Sequence, residues 1–520
     1  MNACVRRLGT AFQTLALVLA LVLSLGLALV RGQTAQAAMT PVIIGEDVDI
    51  AGFDPALNES PWAFRPLVYN TLVELDLDFK ITPSLATHWE ASPDGRTWTF
   101  FLRPDVVFHD GSPLTAELVK MNFERLREGT QKSWLSGIEE ISVPDEATVV
   151  FRMNAPTFIF DSHLTPPFLS IVGPAALDDE GKVVAAIGTG PFTVESWQKG
   201  RECVLKANPS YWGGKPRTDQ VIFRIIRDPD ARVMAFESGD VNLVSLRGAL
   251  TAVQRLEKND AFTILKRTGQ TSENIYLNTR RPLLSDARVR RALAKALDLE
   301  TMIPELLGET AEPGRTFFAS GFGAYVSPTP YMPRFDLDQA KRLLAEAGWK
   351  VGPRGVLEKD GSPMKLSLTV VANNAENMLL AAAIQHALKA VGCEVVLNPV
   401  ESAAITEQFR NGDYDLLMLG QWLIPHNEPF THYRFGYYHD NSTYKVSTSP
   451  EITALINELE STADRERRLE LHHAIQDGLG QVMPAWVLFH RNNVIAVSRD
   501  FADFTVSVGT WQLYRDLAKP

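Results

Sequence analysis

Beyond the first forty residues, apolar positions follow two periods. Asp145 to Met153 (DEATVVFRM) and Gln220 to Ile226 (QVIFRII) are rich in β-branched residues and alternate in polarity, which predicts strands. In Ser285 to Leu297, Val289, Ala292, Leu293, Ala296 and Leu297 recur at helical spacing, with Ser285 as the candidate N-cap. Asp338 to Ala347 reads as a helix stopped by Gly348, and Leu114 to Leu126 as a third. Both element types occur along the whole chain, with no tandem repeat. The length of 520 residues exceeds what one core usually serves, so an α/β protein of at least two lobes is expected. No stretch has linker composition, so the lobes are expected to be joined by strands that cross between them.

The N-terminus has a different pattern. Arg6 and Arg7 precede an apolar run from Leu15 to Val30, and small residues alternate in Thr34-Ala35-Gln36-Ala37-Ala38. A basic start, an apolar core and an A-x-A site form a secretory signal, cut after Ala37. The competing reading is a membrane anchor, because the run approaches spanning length. Export to the periplasm is the expectation.

Composition is that of a globular protein, 45% hydrophobic and 22% charged. The net charge of −11 argues against a nucleic-acid partner, because phosphate binding needs a concentrated basic face. Removing residues 1–37, with three arginines and no acid, takes that charge to −14. Cys4 precedes the apolar run and so is no lipid anchor. Cys203 and Cys393 pair in an oxidising compartment or stay as two buried thiols, the second being the safer expectation. There is no G-x-S-x-G, P-loop or H-E-x-x-H. Gly188-Thr189-Gly190-Pro191 looks like a phosphate loop, but Pro191 lacks the backbone donor that phosphate needs, so a turn is expected.

An ordered set of segments resembles the peptide- and nickel-binding family of ABC-importer solute receptors. It runs from Pro66-Leu67-Val68-Tyr69-Asn70-Thr71-Leu72-Val73 through Asp94-Gly95-Arg96-Thr97-Trp98-Thr99-Phe100 and Asp105-Val106-Val107-Phe108-His109-Asp110-Gly111. It continues with Gly188-Thr189-Gly190-Pro191-Phe192, Asn208-Pro209-Ser210-Tyr211-Trp212 and Ala235-Phe236-Glu237-Ser238-Gly239-Asp240. Asn278-Thr279 with Asp286-Ala287-Arg288-Val289-Arg290, and Ala340 to Trp349, complete it. The resemblance implies a two-lobed α/β periplasmic-binding-protein fold with a hinge and an interlobe ligand cleft. Residues 38–275 would form lobe I, with an inserted subdomain at about 75–195. Residues 276–488 would form lobe II, and 489–520 would return to lobe I. It further implies a non-enzymatic monomer with ABC permease subunits as partners and no catalytic cofactor. Most matching residues are expected to be structural: Asp94-Gly95 and Asp110-Gly111 as turns, Trp98 and Phe100 as core, and His88 and His109 in turns.

For the ligand, the segment Gly420-Gln421-Trp422-Leu423-Ile424-Pro425-His426-Asn427-Glu428-Pro429 is the most informative. Peptide receptors of the family usually have Asp where this chain has Pro425, and that Asp pairs with the peptide ammonium. Burying an ammonium without a carboxylate is costly. Glu428 is a possible substitute, but its Asn-Glu-Pro setting reads as structural. The nickel-type receptors resemble this segment more closely, through Trp422, Pro425 and His426, and Trp134 matches a tryptophan flanking their bound complex. Trp62, Arg434 and Thr510 are further implied ligand contacts. His426, His432 and His439 lie within fourteen residues of one another, and imidazole suits Ni²⁺, Co²⁺, Cu²⁺ or Zn²⁺. His426 and His439 are the candidate metal ligands. His472 and His473 are expected at a helix's surface edge, with His386 similar. One departure stands out: Pro166 occupies the position of an arginine that clamps chelator carboxylates, so Arg434 or His163 compensates or the ligand differs. The expectation is a receptor for nickel or a related metal as a small organic chelate, with a di- or oligopeptide receptor as the alternative. An exported hydrolase, or a sensor or chaperone on the same fold, are the other classes.

Overall fold

The computed structural model describes residues 41–501, apart from 58–60, 62, 77–79, 130, 133, 250–251, 422–427, 431–432 and 434–448. One large mixed sheet runs through most of it. In spatial order its strands are Glu394–Val400, Lys365–Val371, Leu416–Gln421, Phe262–Leu277, Ala485–Ser498, Leu243–Ser245, Val42–Glu46, Gln220–Ile225, Glu202–Ala207 and Phe192–Gln198, and Ala311–Pro313 adds to Ala485–Ser498. At about 3.3 Å per residue, the 16-residue strand Phe262–Leu277 is about 50 Å long. Its first half pairs with Asn492 to Ser498. Its second half pairs with Ala485 to His490 and, on its other edge, with Leu416–Gln421. The register shifts between Thr268 and Ser272, where a bulge bends the ladder. These two strands pair with each other along most of their length and run through both halves of the sheet. Ala485–His490 is buried at every position, as in a strand covered on both faces.

Among the described residues, the buried apolar side chains fall into four clusters. The largest fills the half of the sheet around Leu416–Gln421, under helices Ala287–Lys295, Ala375–Lys389 and Arg465–Val482. Two others cover the half around Val42–Glu46. The fourth belongs to a separate four-stranded sheet, ordered Ala86–Ala91, Thr97–Leu102, Thr148–Met153 and Ile138–Asp145, with helix Ala116–Glu128 packed on it. In Thr97–Leu102, Trp98, Phe100 and Leu102 point inward alternately. The preceding hairpin turns at Asp94-Gly95 as expected. The Asp94 carboxylate accepts from Ser92 Oγ and the Arg96 amide, and Gly95 takes φ +66°.

Several local expectations change by a residue or a role. Asp145 closes one strand and Glu146-Ala147 make a turn, so the second strand starts at Thr148. The helix expected from Ser285 is capped by Asp286, whose carboxylate accepts from the Arg288 amide at 2.8 Å. Ser285 instead donates to Pro282 O, ending the 3₁₀ turn Pro282–Leu284. Leu337–Glu346 is capped by Asp336 and ends at Gly348 with φ +92°. Cys203 and Cys393 are free and buried near opposite ends of the large sheet, and burial pushes both thiols up to about 12. The Gly188-Gly190 segment is a bend packed on another chain segment. A Cβ at Gly188 would lie 2.2 Å from Val68 O, and the Gly190 amide donates to that same oxygen. Among the described residues, no helix is long and apolar enough to cross a membrane.

Candidate functional site

Trp134 lies in the turns following helix Ala116–Glu128. Its half-buried indole Nε1 donates to His163 O at 3.0 Å and its ring meets Phe168 edge-on at 5.2 Å. His163 ends the short helix Phe160–His163, and its ring lies 6.0 Å from that of Trp134. On its other side it stacks on Phe430 at 5.8 Å with planes 21° apart. Trp134, Gly137, Met153, Phe160 and His163 line a cavity of about 110 Å³. Glu460, from helix Pro450–Ser461, lines it too, so the cavity lies between the four-stranded sheet's cluster and a helix of the large sheet's first half.

A buried charge network stands next to this wall. Arg468 Nε lies 3.0 and 3.2 Å from the two oxygens of Glu428, and His472 Nε2 lies 3.1 Å from Oε1. Arg468 Nη1 also donates to the carbonyls of Thr462 and Ala463, which fixes the guanidinium in place. Burial alone would raise Glu428, but the hydrogen bond from His472, with the charge and hydrogen bond of Arg468, outweighs it and holds the carboxyl below its ordinary value. Burial lowers His472, so at neutral pH its imidazole is neutral and its Nε2–H faces the carboxylate. Asp161 sits opposite, accepting from Trp89 Nε1 at 3.2 Å and the Ser162 amide at 2.8 Å. Burial raises it and the charge of Glu428 adds to that.

Two expectations for the histidines are corrected. His472 is fully buried, not at a surface edge. It lies on the inner face of Arg465–Val482 because its imidazole has the carboxylate of Glu428 to bond. His88 lies in strand Ala86–Ala91, stacked 4.2 Å from Phe101, rather than in a turn. His109 does sit at a turn, its ring facing Gly190 O. His386 is exposed as expected, and His473, half-buried, bonds Ala324 O. Glu428, read as structural from its Asn-Glu-Pro setting, is bonded to Arg468 and His472. The expected contacts Trp62, Trp422, His426, Arg434 and Thr510, the expected metal ligand His439, and Pro425 lie outside the described residues. Among the described residues, no group of three or more His, Cys, Asp or Glu side chains is placed to hold a metal ion. The Glu428–Arg468–His472 network was missed from sequence. Its signal was there: Arg468, His472 and Gln476 are spaced four apart, interleaved with the buried Leu471, Ile475 and Leu479.

Residues 80–443 match the family described as bacterial extracellular solute-binding proteins, family 5 Middle. The chain is 28% identical over 456 residues to the nickel-binding periplasmic protein of Escherichia coli (strain K12), covering 84% of this chain and 87% of that one. It is 26% identical over 484 residues to the probable D,D-dipeptide-binding periplasmic protein DdpA of the same strain, covering 89% and 91%. Among solved structures it is similar to NikA from Brucella suis in complex with Fe(III)-EDTA. The TM-score is 0.83 at 26% identity, covering 92% of this chain and 99% of that one. The two-lobed fold is thereby shown, and these relatives are binding proteins rather than enzymes. The chain belongs to the bacterial extracellular solute-binding proteins of family 5, the solute-capturing receptors of ABC importers.

Proposed function

We propose that this receptor captures nickel or a related transition metal as a small organic chelate and presents it to the membrane permease from the periplasm. The observation that carries this reading is the state of Glu428. With Pro425 in place of the peptide receptors' aspartate, Glu428 is the nearest carboxylate in sequence that could take a peptide ammonium. Arg468 and His472 already occupy both of its oxygens. An ammonium would have to displace a buried charge pair, at a cost of several kcal/mol. An aromatic wall with a buried imidazole, built from Trp134, Phe168, His163 and Phe430, suits a flat, partly apolar chelate better. The likeness to the E. coli nickel-binding protein and to NikA supports the same choice.

On this reading Trp62, Trp134, Trp422, His426, Arg434 and Thr510 contact the ligand, and His439 with His426 supplies imidazole to the metal. Residues 38–275 and 489–520 form one lobe and 276–488 the other, and closure bends the two long strands near the Thr268–Ser272 bulge. The peptide reading has one observation in its favour: Glu460 lines the cavity and offers a carboxylate to an ammonium. Isothermal titration with Ni²⁺, with and without free histidine, against a dipeptide panel separates the two. Native mass spectrometry with metal analysis, on protein purified from its own host, identifies the cargo. Peptide binding without any metal response would overturn the chelate reading.

A further inference from the structure

The cavity beside Trp134 has an open rim and a closed floor. Of its lining residues, Ser136, Asn154 and Ala155 are exposed, while Leu135, Met153 and Phe160 are buried in the four-stranded sheet's cluster. It therefore reaches solvent on one side and ends against a core on the other. Its volume of about 110 Å³ is roughly that of three or four waters at about 30 Å³ each, enough for one small polar arm of a solute. Backbone bonding fixes the wall. The Asn154 amide donates to Gly137 O at 2.9 Å, and its Nδ2 to Ser136 O at 3.1 Å. Trp98 Nε1 donates to Thr157 O at 3.0 Å, as Trp134 Nε1 does to His163 O. These carbonyls already have donors, so recognition inside the cavity falls to side chains.

Those side chains are one-sided in charge. Glu460 brings a carboxylate from helix Pro450–Ser461. Among the described residues that line the cavity there is no lysine and no arginine. Arg96 and Arg127 donate to Asn154 O and Ile138 O, but neither lines it. The imidazole of His163 is held between the rings of Trp134 at 6.0 Å and Phe430 at 5.8 Å. A solute carboxylate placed here would meet Glu460 with no counter-ion, and taking it out of water would be costly. A positively charged nitrogen would meet that carboxylate and the indole of Trp134, whose π system also favours a cation. A carboxylate has about four acceptor sites, so Glu460 can take a solute N–H while keeping a contact within the protein.

We propose that this cavity is the subsite for a positively charged nitrogen arm of the captured solute, with Glu460 accepting its N–H and Trp134 packing against it. This rests on the receptor reading above and narrows the chelate's class to one with an ammonium or imidazolium arm, rather than one built of carboxylates alone. It agrees with Pro166 standing where related receptors clamp carboxylates. An uncoordinated arm of a chelator and the terminal ammonium of a peptide offer the same chemistry, and the test tells them apart. Binding is measured calorimetrically for Ni²⁺ with nitrilotriacetate and for Ni²⁺ with the nitrilotriacetate derivative of lysine, which adds an aminobutyl arm. A dipeptide and the same dipeptide N-acetylated form the second pair. Wild type, Glu460→Gln and Glu460→Lys are compared at neutral pH.

Wild type is expected to prefer the charged-arm member of a pair by roughly tenfold or more, the worth of one charge-assisted hydrogen bond. Glu460→Gln should remove most of that preference and leave the affinity for the armless member unchanged. Glu460→Lys should reverse it. The preference is a ratio within one protein, so a variant that is merely less stable keeps it. Whether it shows in the chelate pair or the dipeptide pair identifies the source of the nitrogen. A wild type that binds both members of each pair equally overturns the subsite and leaves the receptor reading standing, as does a preference that survives in both variants. Failure of wild type to bind any of the four probes overturns the receptor reading, and the subsite with it.

Discussion

Glu428 and Glu273 are both buried, 4% and 6% exposed, and both sit near an arginine and the N-terminal part of a helix partner. Their charge states nevertheless diverge. Glu428 is held below the ordinary carboxylate value and Glu273 is raised to about 7. Burial therefore does not set the difference. The count of donors committed to each carboxylate does. Glu428 has Arg468 across both oxygens and His472 on one of them, with Arg468 itself pinned by two carbonyls. Glu273 has Arg491 nearby, but that guanidinium is spent on Glu376, and Glu273 Oε1 has no donor. A buried carboxylate with its donors in place fixes structure. One with an oxygen left without a donor stores a proton near neutral pH.

The largest effect is expected from stripping Glu428 of its partner. Arg468→Ala leaves a buried carboxylate without its cation and should cost about 3–5 kcal/mol at pH 7 by urea denaturation. Glu428 has a lowered pKa in the fold, so its contribution is present above its ordinary value and lost as pH falls through the folded one. The deficit of Arg468→Ala should therefore shrink in acid, where Glu428 takes up a proton. A loss under about 1 kcal/mol at pH 7, the scale of an exposed pair, would mean that the donors do not account for the state of Glu428.

Glu273→Gln should act in the opposite direction and somewhat less. Between 4.5, its ordinary value, and about 7 the folded protein holds a proton that the unfolded chain has lost. Stability contributed by that carboxyl therefore falls as pH rises through this window. Glutamine keeps the shape and cannot ionise. The variant should match wild type in acid and exceed it above neutrality by about 3 kcal/mol. Parallel stability–pH curves for the two proteins would show that Glu273 titrates in the fold as it does in the unfolded chain, and that the contrast with Glu428 is absent.

Legibility in the sequence followed the physics of each feature. Strands and helices that bury one face were readable because burial imposes a period, as in Gln220–Ile225 and Leu337–Glu346. The cap at Asp286 was misplaced by one residue because Ser285 and Asp286 both cap well, and only the preceding 3₁₀ turn decides between them. His472 was misread because a polar residue on an apolar face is buried only when a partner waits there. Its partner Glu428 is 44 residues away in the chain. Trp134 was proposed as a ligand contact through family resemblance alone, since nothing in its local pattern separates a cleft tryptophan from a core one. Glu273, Glu376 and Arg491 come from three distant segments that the fold joins, and no spacing rule links them.

The smallest effect supplies the neutral reference for the two carboxylates. The hydrogen bond from Trp134 Nε1 to His163 O involves no group that titrates between pH 5 and pH 8. Trp134→Phe keeps an aromatic ring against Phe168 but removes the donor, leaving a carbonyl in a half-buried wall. The expected cost is about 1 kcal/mol, the net worth of a neutral hydrogen bond. Denaturation of the variant and of wild type should give the same difference at both ends of that pH range. A slope would mean that a titrating neighbour, Asp161 being the nearest candidate with a raised pKa, reads the indole's loss through the backbone of Phe160–His163. If Trp134 also faces the captured solute, affinity should fall by more than stability does. An indole that only props up His163 would lose the two in proportion.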